Sequence, residues 1–201
     1  MESNKIVDNE EKNTNFVNLF DGNLDGWIMI GDGSFAIIFE EGDYKKQFPL
    51  LKTQGGMGLL WYSKKKFKDF ILRLDWKVTR LEDNSGIFVR FSNPQNDPWH
   101  AVNSGYEIQI DDLTLPNKES IHMTGAIYGF MGTSKVASKP IGCWNNLYVS
   151  VEGQMYTVII NDEKVIDGFQ GNRNKEGYIG LQNHDDKSTV YFKNIFIKEI
   201  S

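Results

Sequence analysis

Cysteine is almost absent from this chain, since Cys143 is the only one in 201 residues. No disulfide can therefore form within the chain, and its fold must be stable without one. Long hydrophobic runs are also missing, because no segment approaches the ~20 apolar residues that span a bilayer, and we expect no membrane partner. Lysine and arginine number 22 against 27 acidic residues, for a formal charge of -5. We therefore expect no nucleic-acid partner, which would require a basic stripe.

The first fifteen residues are acidic and polar and lack an apolar segment of signal-peptide length. They predict a flexible tail over residues 1–15, followed by a single β-sandwich domain over residues 16–201. As the sequence stands, the expected location is the cytoplasm. If a leader has been removed, the expected location is periplasmic or extracellular instead.

Apolar residues at helical spacing are missing as well, because nowhere do they recur over three turns. Residues 70–78 instead alternate between apolar and polar side chains, which is typical of a half-buried strand. Val190 and Phe192 hold one phase of the last strand and Ile195 holds the other, which predicts a β-bulge between them. With 19 glycines available for turns, the sequence predicts an all-β fold, a two-sheet antiparallel sandwich of jelly-roll type.

One strand-like segment, residues 105–112, carries a row of polar side chains. Strict alternation puts Glu107, Gln109 and Asp111 on one face and apolar residues on the other. Such a face is often simply solvated, but an alternating row of acids also lines the cleft of some sugar-cleaving enzymes. Gln109 cannot ionise, which weakens the case for ordinary glycoside hydrolysis by an acid and a nucleophile.

Two other segments offer polar faces that could converge with Glu107. Alternation groups Asn84 with Arg90 in one of them and Gln182 with His184 in the other. Arg90 is either a cation at the site or a structural ion-pair partner of an acid on the neighbouring strand. His184 is either a chemical group or an ordinary surface histidine. Alternation alone does not show whether these faces belong to the same sheet.

Glycines and aromatic residues could shape such a site. Gly86 and Gly180 would let a ligand approach the sheet closely. Trp61 could stack on a sugar ring, but core packing is the commoner role of such a residue, as we expect for Trp76 and, in a loop, for Trp99.

A metal ion is a further possibility at the end of the polar row. Asp111 and Asp112 could hold a divalent cation with Gln109 or His184, although such a site needs several converging oxygens. No other cofactor is indicated.

Short motifs follow one another in order over nearly all of the chain after Asn15. They lie at residues 18–22, 25–27, 69–76, 84–90, 105–111, 125–129, 142–145, 180–184 and 190–195. Taken together, they make the chain resemble the 3-keto-disaccharide hydrolase domain family, whose members have the concanavalin A-like lectin/glucanase sandwich.

The resemblance implies a substrate in which a sugar has already been oxidised to a ketone at C3, and hence an upstream sugar 3-oxidoreductase as functional partner. A C3 ketone acidifies the C2 proton, so a base can remove it, the glycosidic oxygen can leave from C1, and water can add afterwards. This chemistry needs a base, an enolate stabiliser and a leaving-group acid. The implied activity is hydrolysis of 3-keto-disaccharides or 3-keto-glycosides in a concave cleft.

The same resemblance suggests roles for the polar residues. Glu107 or His184 would be the base and the other the leaving-group acid, while Arg90 and Asn84 would stabilise the enolate oxygen. Gln109 needs no charge for this chemistry, because it would serve only as a hydrogen-bonding group. The residues expected to contact the sugar are Asn84, Gln109, Asp111, Gln182, Trp61 and Tyr128.

Three other interpretations remain open. A non-catalytic, lectin-like carbohydrate-binding module would have rings and amides in its groove and no perturbed carboxyl group. A retaining glycosidase would place the carboxyl groups of Glu107 and Asp111 about 5–5.5 Å apart. A purely structural protein would need none of the polar faces to converge.

Overall fold

The computed structural model describes residues 15–42, 47–112 and 119–200. Its strands are β1 (Val17–Asn18), β2 (Trp27–Glu41), β3 (Gln47–Tyr62), β4 (Phe70–Val78), β5 (Asn84–Phe91), β6 (Tyr106–Asp111), β7 (Asn145–Glu152), β8 (Met155–Ile160), β9 (Glu163–Gln170), β10 (Tyr178–Asn183) and β11 (Val190–Glu199). The helix α1 (His100–Ser104) and a 3-10 turn (Ser120–His122) complete the elements. No helix within these ranges is long and apolar enough to cross a membrane. Of the predicted flexible tail, residues 1–14 lie outside the described residues.

All of the strand pairs are antiparallel and form one hydrogen-bonded path. Its order is β6-β5-β10-β3-β11-β4-β7-β8-β9, with β1 beside β11 and β2 beside β3. The long strand β3 joins the two halves, because its residues 58–61 pair with β10 and its residues 51–52 pair with β11. The all-β antiparallel prediction is confirmed. The strands form one curled sheet rather than two separate ones, and the jelly-roll connectivity stays a prediction.

The hydrophobic core lies between the two halves of this curled sheet. Leu72 and Trp76 of β4 belong to the same buried cluster as Ile87 of β5 and Ile108 of β6. Strand β4 shows the predicted alternation over its whole length. A smaller buried cluster lies on the other face of β3 and β5, where Ala101 of α1 packs with Leu59, Trp61, Phe88 and Phe91. This second cluster fixes α1 above the face that carries the polar row.

Two irregularities change the direction of side chains along their strands. In β11 the pairing with β4 shifts between Lys193 and Phe196, and Asn194 has a φ of 53°; the predicted bulge is confirmed. In β5, Val89 and Phe91 pair with consecutive residues of β10, so Arg90 is the extra residue of a second bulge, with a φ of 55°.

Candidate active site

The polar row of β6 lines an open cavity of about 180 Å³. Tyr106, Ile108 and Ile110 point into the hydrophobic core, and the alternating Glu107, Gln109 and Asp111 face the cavity. The predicted alternation is therefore confirmed, and the polar face is a concave one. The residues that line the cavity are Asn84, Trp99, Val102, Glu107, Gln109, Asp111, His122, Tyr128, Gln182 and His184.

The cavity floor is built from three rows of residues that cross β6, β5 and β10. The paired residues give the rows Glu107, Phe88 and Gly180, then Gln109 and Gly86, then Asp111 and Asn84. By alternation after Gly180, Gln182 continues the second row, and His184, directly after β10, continues the third. The first row lies next to α1, and the third lies at the ends of the strands. The shared sheet thus brings together polar side chains that are far apart in sequence, as the sequence analysis required.

The Glu107 side chain leans over the middle row. A Cβ atom added to Gly86 would lie 2.1 Å from Oε1 of Glu107, so the glycine provides the space that the carboxyl group occupies. At Gly180 the corresponding space is filled by Leu59 and the β3 backbone. The prediction that these two glycines let a ligand approach the sheet is therefore wrong, because protein atoms already occupy both positions.

Burial strongly changes the acidity of this carboxyl group. Only 5% of Glu107 is exposed, and the loss of hydration raises its pKa to about 8, although a hydrogen bond from Gln182 acts in the opposite direction. No basic side chain among the described residues pairs with it. At neutral pH the group is therefore largely a neutral carboxylic acid that can donate a proton.

Three amide groups of the floor have hydrogen-bonding capacity to spare. Side-chain oxygens of Asn84, Gln109 and Gln182 are buried and have no partner within the described residues. The Asn84 amide nitrogen donates to Asp111 Oδ2 at 3.1 Å. Because a buried polar atom without a partner is costly, the floor is suited to a ligand rich in hydroxyl groups.

A histidine and an aspartate form a hydrogen-bonded pair at the end of the third row. His184 Nδ1 lies 2.8 Å from Asp185 Oδ2. The backbone amides of Lys187 and Ser188 donate to the other carboxyl oxygen, at 2.8 and 2.7 Å. The pKa of Asp185 falls to about 2, because these hydrogen bonds outweigh its partial burial. The ionised Asp185 thus holds the His184 ring, whose other nitrogen is available for proton transfer.

The rim of the cavity is aromatic on two sides. Trp99 and Val102 form the wall on the α1 side. His122 and Tyr128, whose ring centroids are 5.1 Å apart, form a second wall. Of these four residues, only Tyr128 was predicted from the sequence, and Trp99 was expected in a loop. An exposed Trp99 could have been predicted from the sequence, because the indole follows the polar segment Asn96-Asp97-Pro98 and few neighbouring residues could bury it.

β6 is the terminal strand of the sheet, and a connecting segment covers its free edge. Gly125 N donates to Gln109 O at 2.9 Å, and Gln109 N donates to Ala126 O at 3.0 Å. Tyr128 N donates to Glu107 O at 2.9 Å. These bonds hold the Tyr128 side of the rim next to Glu107.

Arg90 does not line the cavity, and its predicted place beside Glu107 is wrong. The β5 bulge turns its side chain away from the polar face. Its guanidinium group is fully buried, donates to Asp69 Oδ1 at 2.8 Å and to Lys68 O at 2.8 Å, and also donates to Gly153 O. Arg90 therefore ties β5 to the β4 entry and to the β7–β8 turn, and its cation is paired outside the site.

Trp61 is also absent from the cavity lining. Only 5% of it is exposed, and its ring packs edge-on against Tyr178 at 4.7 Å and against Phe91 at 6.3 Å. It belongs to the small cluster beneath α1, so the packing alternative applies and the prediction of a sugar platform is wrong. The structure brings together the other predicted residues: Asn84, Glu107, Gln109, Asp111, Tyr128, Gln182 and His184.

The described residues contain no cluster of three or more His, Cys, Asp or Glu side chains positioned to hold a metal ion.

One curated protein is similar to this chain in sequence. A curated 3-keto-disaccharide hydrolase from Bacteroides thetaiotaomicron is 26% identical over 175 residues. The match covers 66% of this chain and 59% of that relative, so the chain spans less than two thirds of the relative's length.

Solved structures share the fold. A candidate glycosyl hydrolase from Parabacteroides distasonis has a TM-score of 0.71 at 22% identity, with 96% of this chain and 97% of that chain covered. A carbohydrate binding module, CBM66 of Bacillus subtilis, has a TM-score of 0.59 at 17% identity, with 87% and 96% covered. At these identities, the similarity concerns the fold alone.

The sequence profile of the 3-keto-alpha-glucoside-1,2-lyase-like domain matches residues 15–198. This match takes in nearly the whole chain and includes every strand that forms the cavity floor. The chain therefore belongs to the 3-keto-alpha-glucoside-1,2-lyase-like domain family.

Proposed function

We propose that this protein cleaves the glycosidic bond of 3-keto-disaccharides or 3-keto-glycosides by elimination followed by addition of water. The observation that carries the proposal is the neutral Glu107 carboxyl group in the same cavity as the His184–Asp185 pair. A buried acid that keeps its proton up to about pH 8 and an oriented imidazole are the two proton-transfer groups that this chemistry requires.

The elimination step follows from the acidity of the substrate. In our proposal, His184 removes the C2 proton, and the electron pair of that bond forms the C2–C3 double bond of an enolate whose negative charge lies on the C3 oxygen. As the C3 carbonyl forms again, the C2–C3 pair becomes the C1–C2 double bond and the C1–O bond breaks. Glu107 gives its proton to the departing glycosidic oxygen. The side-chain N–H groups of Asn84 and Gln109 donate hydrogen bonds to the C3 oxygen while it carries enolate charge, which is the role that the displaced Arg90 does not fill.

The hydration step reverses these proton transfers. The ionised Glu107 takes a proton from water as the water oxygen bonds to C1, and the protonated His184 returns a proton to C2. The products are a 3-keto sugar and the free alcohol, so the net reaction is hydrolysis. Each group starts and ends in the same protonation state.

The family membership and the relative from Bacteroides thetaiotaomicron support this substrate class. Because the substrate must be oxidised at C3 before cleavage, we propose that a sugar 3-oxidoreductase acts before this protein.

A non-catalytic carbohydrate-binding module is the second candidate. The fold similarity to CBM66 favours it, as do the unpaired amide oxygens, which suit sugar hydroxyls whether or not chemistry follows. Such a module has no use for a buried proton donor, however. Glu107 is therefore the residue at which the two functions make different predictions.

The test is to incubate the protein with a 3-keto glucoside and with its unoxidised parent, and to follow aglycone release and C2 deuterium exchange by NMR. The variants are Glu107→Gln and His184→Ala, with the exposed Glu82→Gln as control. We expect release and exchange from the keto substrate only, unchanged in the control and reduced ~10²–10⁴-fold in each site variant.

Two other outcomes would overturn the proposal. Turnover of the unoxidised parent would indicate an ordinary glycosidase. Saturable shifts on sugar addition without turnover of either substrate would identify a binding module.

A further inference from the structure

The two walls of the cavity rim differ in how their aromatic rings are supported. Tyr128 packs against the His122 ring, and its backbone is bonded to Glu107. Trp99 is 55% exposed, and no aromatic ring or cation contacts its indole within the described part of the chain. Its exposed indole forfeits the free energy that burial would provide.

The Trp99 backbone is nevertheless firmly placed. Its amide donates to Asp97 Oδ1 at 3.0 Å, and its carbonyl accepts from Asn103 N at 3.2 Å. Val102, three residues further on, lines the cavity beside it, as expected for neighbours on one helix face. The α1 wall, consisting of Trp99 and Val102, therefore presents a fixed apolar surface at the mouth.

The volume of the cavity limits what can enter it. At about 180 Å³ it is smaller than the ~300–1,000 Å³ typical of pockets for drug-sized ligands. The polar floor suits one sugar ring, and the acid and the histidine lie there. Whatever is attached at C1 of that ring must extend towards the mouth.

We propose that the α1 wall is the subsite for the leaving group, and that it binds the second sugar ring of a disaccharide by stacking on the Trp99 indole. This inference rests on the proposed function. It narrows the substrate class to 3-keto-disaccharides in preference to 3-keto-glycosides with small leaving groups. The apolar face of a pyranose matches the indole, whereas a methyl group is too small to cover it.

The test compares a 3-keto-disaccharide with the methyl glycoside of the same 3-keto sugar. In Trp99→Ala we expect kcat/KM for the disaccharide to fall about 5–10-fold, with less than about a twofold change for the methyl glycoside. Trp99→Phe should restore most of the loss, because it retains a ring. Phe39→Ala removes an equally exposed ring elsewhere on the surface and should change neither value.

The opposite results would overturn the subsite. An equal loss with both substrates would indicate that Trp99 acts on the keto ring or on the structure of α1. An unchanged preference for the disaccharide would indicate that the leaving group binds elsewhere.

A separate measurement keeps the subsite testable if the protein turns over no keto sugar. Titration of the wild type with the unoxidised disaccharide and monosaccharide, followed by NMR, gives their relative affinities. Tighter binding of the disaccharide that is lost in Trp99→Ala would support the subsite even though the proposed reaction had failed. Equal affinity for the two sugars in the wild type would overturn it.

Discussion

Glu107 and Arg90 are buried ionisable residues on neighbouring strands, and they differ in what surrounds them. Arg90 is fully buried and donates to one carboxylate and two backbone carbonyls. Glu107 is 5% exposed, and within residues 15–42, 47–112 and 119–200 only the Gln182 amide donates to its carboxyl group. The Arg90 cation is therefore paired with protein groups, whereas the Glu107 carboxyl group has no counter-ion among the described residues.

This difference decides which residue is available for chemistry. The hydrogen bonds of Arg90 fix its guanidinium group and use its donors, so that the residue joins β5 to the β4 entry and to the β7–β8 turn. Without a counter-ion, the Glu107 carboxyl group remains protonated over most of the physiological pH range. Burial alone therefore does not identify a functional residue. The presence or absence of hydrogen-bonding and charged partners distinguishes a structural residue from one that is available for chemistry.

The largest expected effect concerns pH. An unfolded glutamic acid loses its proton near pH 4.5, whereas folded Glu107 does so only near pH 8. The folded state thus binds the extra proton between these values, and the unfolding free energy falls as pH rises through this range. Glu107→Gln removes this dependence and should be roughly 4 kcal/mol more stable than the wild type at pH 9, with little difference at pH 4.

Urea unfolding across this pH range measures the effect. Glu82→Gln, which changes an exposed acid, should follow the wild type at every pH. A constant offset between Glu107→Gln and the wild type would show that the carboxyl group is not held neutral.

Arg90→Met should act in the opposite direction. It removes the donors to Asp69, Lys68 and Gly153 and leaves those acceptors without their buried partner. We expect a loss of about 3 kcal/mol in unfolding free energy. Turnover of the remaining folded protein should stay close to the wild-type value, because Arg90 does not line the cavity.

Chemical denaturation and an activity assay on the same samples separate the two effects. Lys175→Met removes an exposed cation and is the matched control. A large loss of turnover in a well-folded Arg90→Met protein would indicate that Arg90 takes part in catalysis.

Gly86→Ala tests the placement of the acid without changing the acid itself. The new methyl group would lie 2.1 Å from Glu107 Oε1, so the carboxyl group must move out of the middle row. We expect turnover to fall about 10²-fold, since a displacement of about 1 Å can have an effect of this size. Gly56→Ala, whose added atom has room, should be nearly neutral. Unchanged turnover in Gly86→Ala would mean that the position of Glu107 is not important.

The smallest effect is expected at Asp185, which acts through His184. Asp185→Asn keeps the size of the side chain but removes its charge, so the His184 ring is held less firmly in its orientation. We expect about a tenfold loss of kcat. In a His184→Ala background the same change should have almost no further effect, which kinetics of the double variant would show. Additive losses would contradict a shared role.

Much of the fold could be predicted because alternation is a local property. The nine residues of β4 and the polar row of β6 follow it without interruption. The β11 bulge was also predictable, since the apolar phase changes between Phe192 and Ile195. The β5 bulge was not, because no residue after Arg90 continues the strand far enough to reveal a change of phase.

The composition of the site was only partly readable from the sequence. Seven predicted residues meet in the cavity. Alternation along β5, β6 and β10 selects the correct face for six of them, whereas Tyr128 lies in the segment that covers the edge of β6. It does not say what lies above that face, and α1 covers Trp61 while leaving Trp99 exposed. The contribution of Asp185 depends on the turn after β10, whose geometry follows from the hydrogen bonds of that turn and not from a repeating pattern.

The covered edge of β6 has a consequence for solubility. A terminal strand with free backbone groups readily pairs with a strand of another molecule and so begins aggregation. Here the carbonyls of Glu107 and Gln109 accept hydrogen bonds from residues 125 and 128 of the same chain. The polar row can therefore lie on the edge strand and remain accessible to ligands, while the backbone of that strand is not free to pair with another chain.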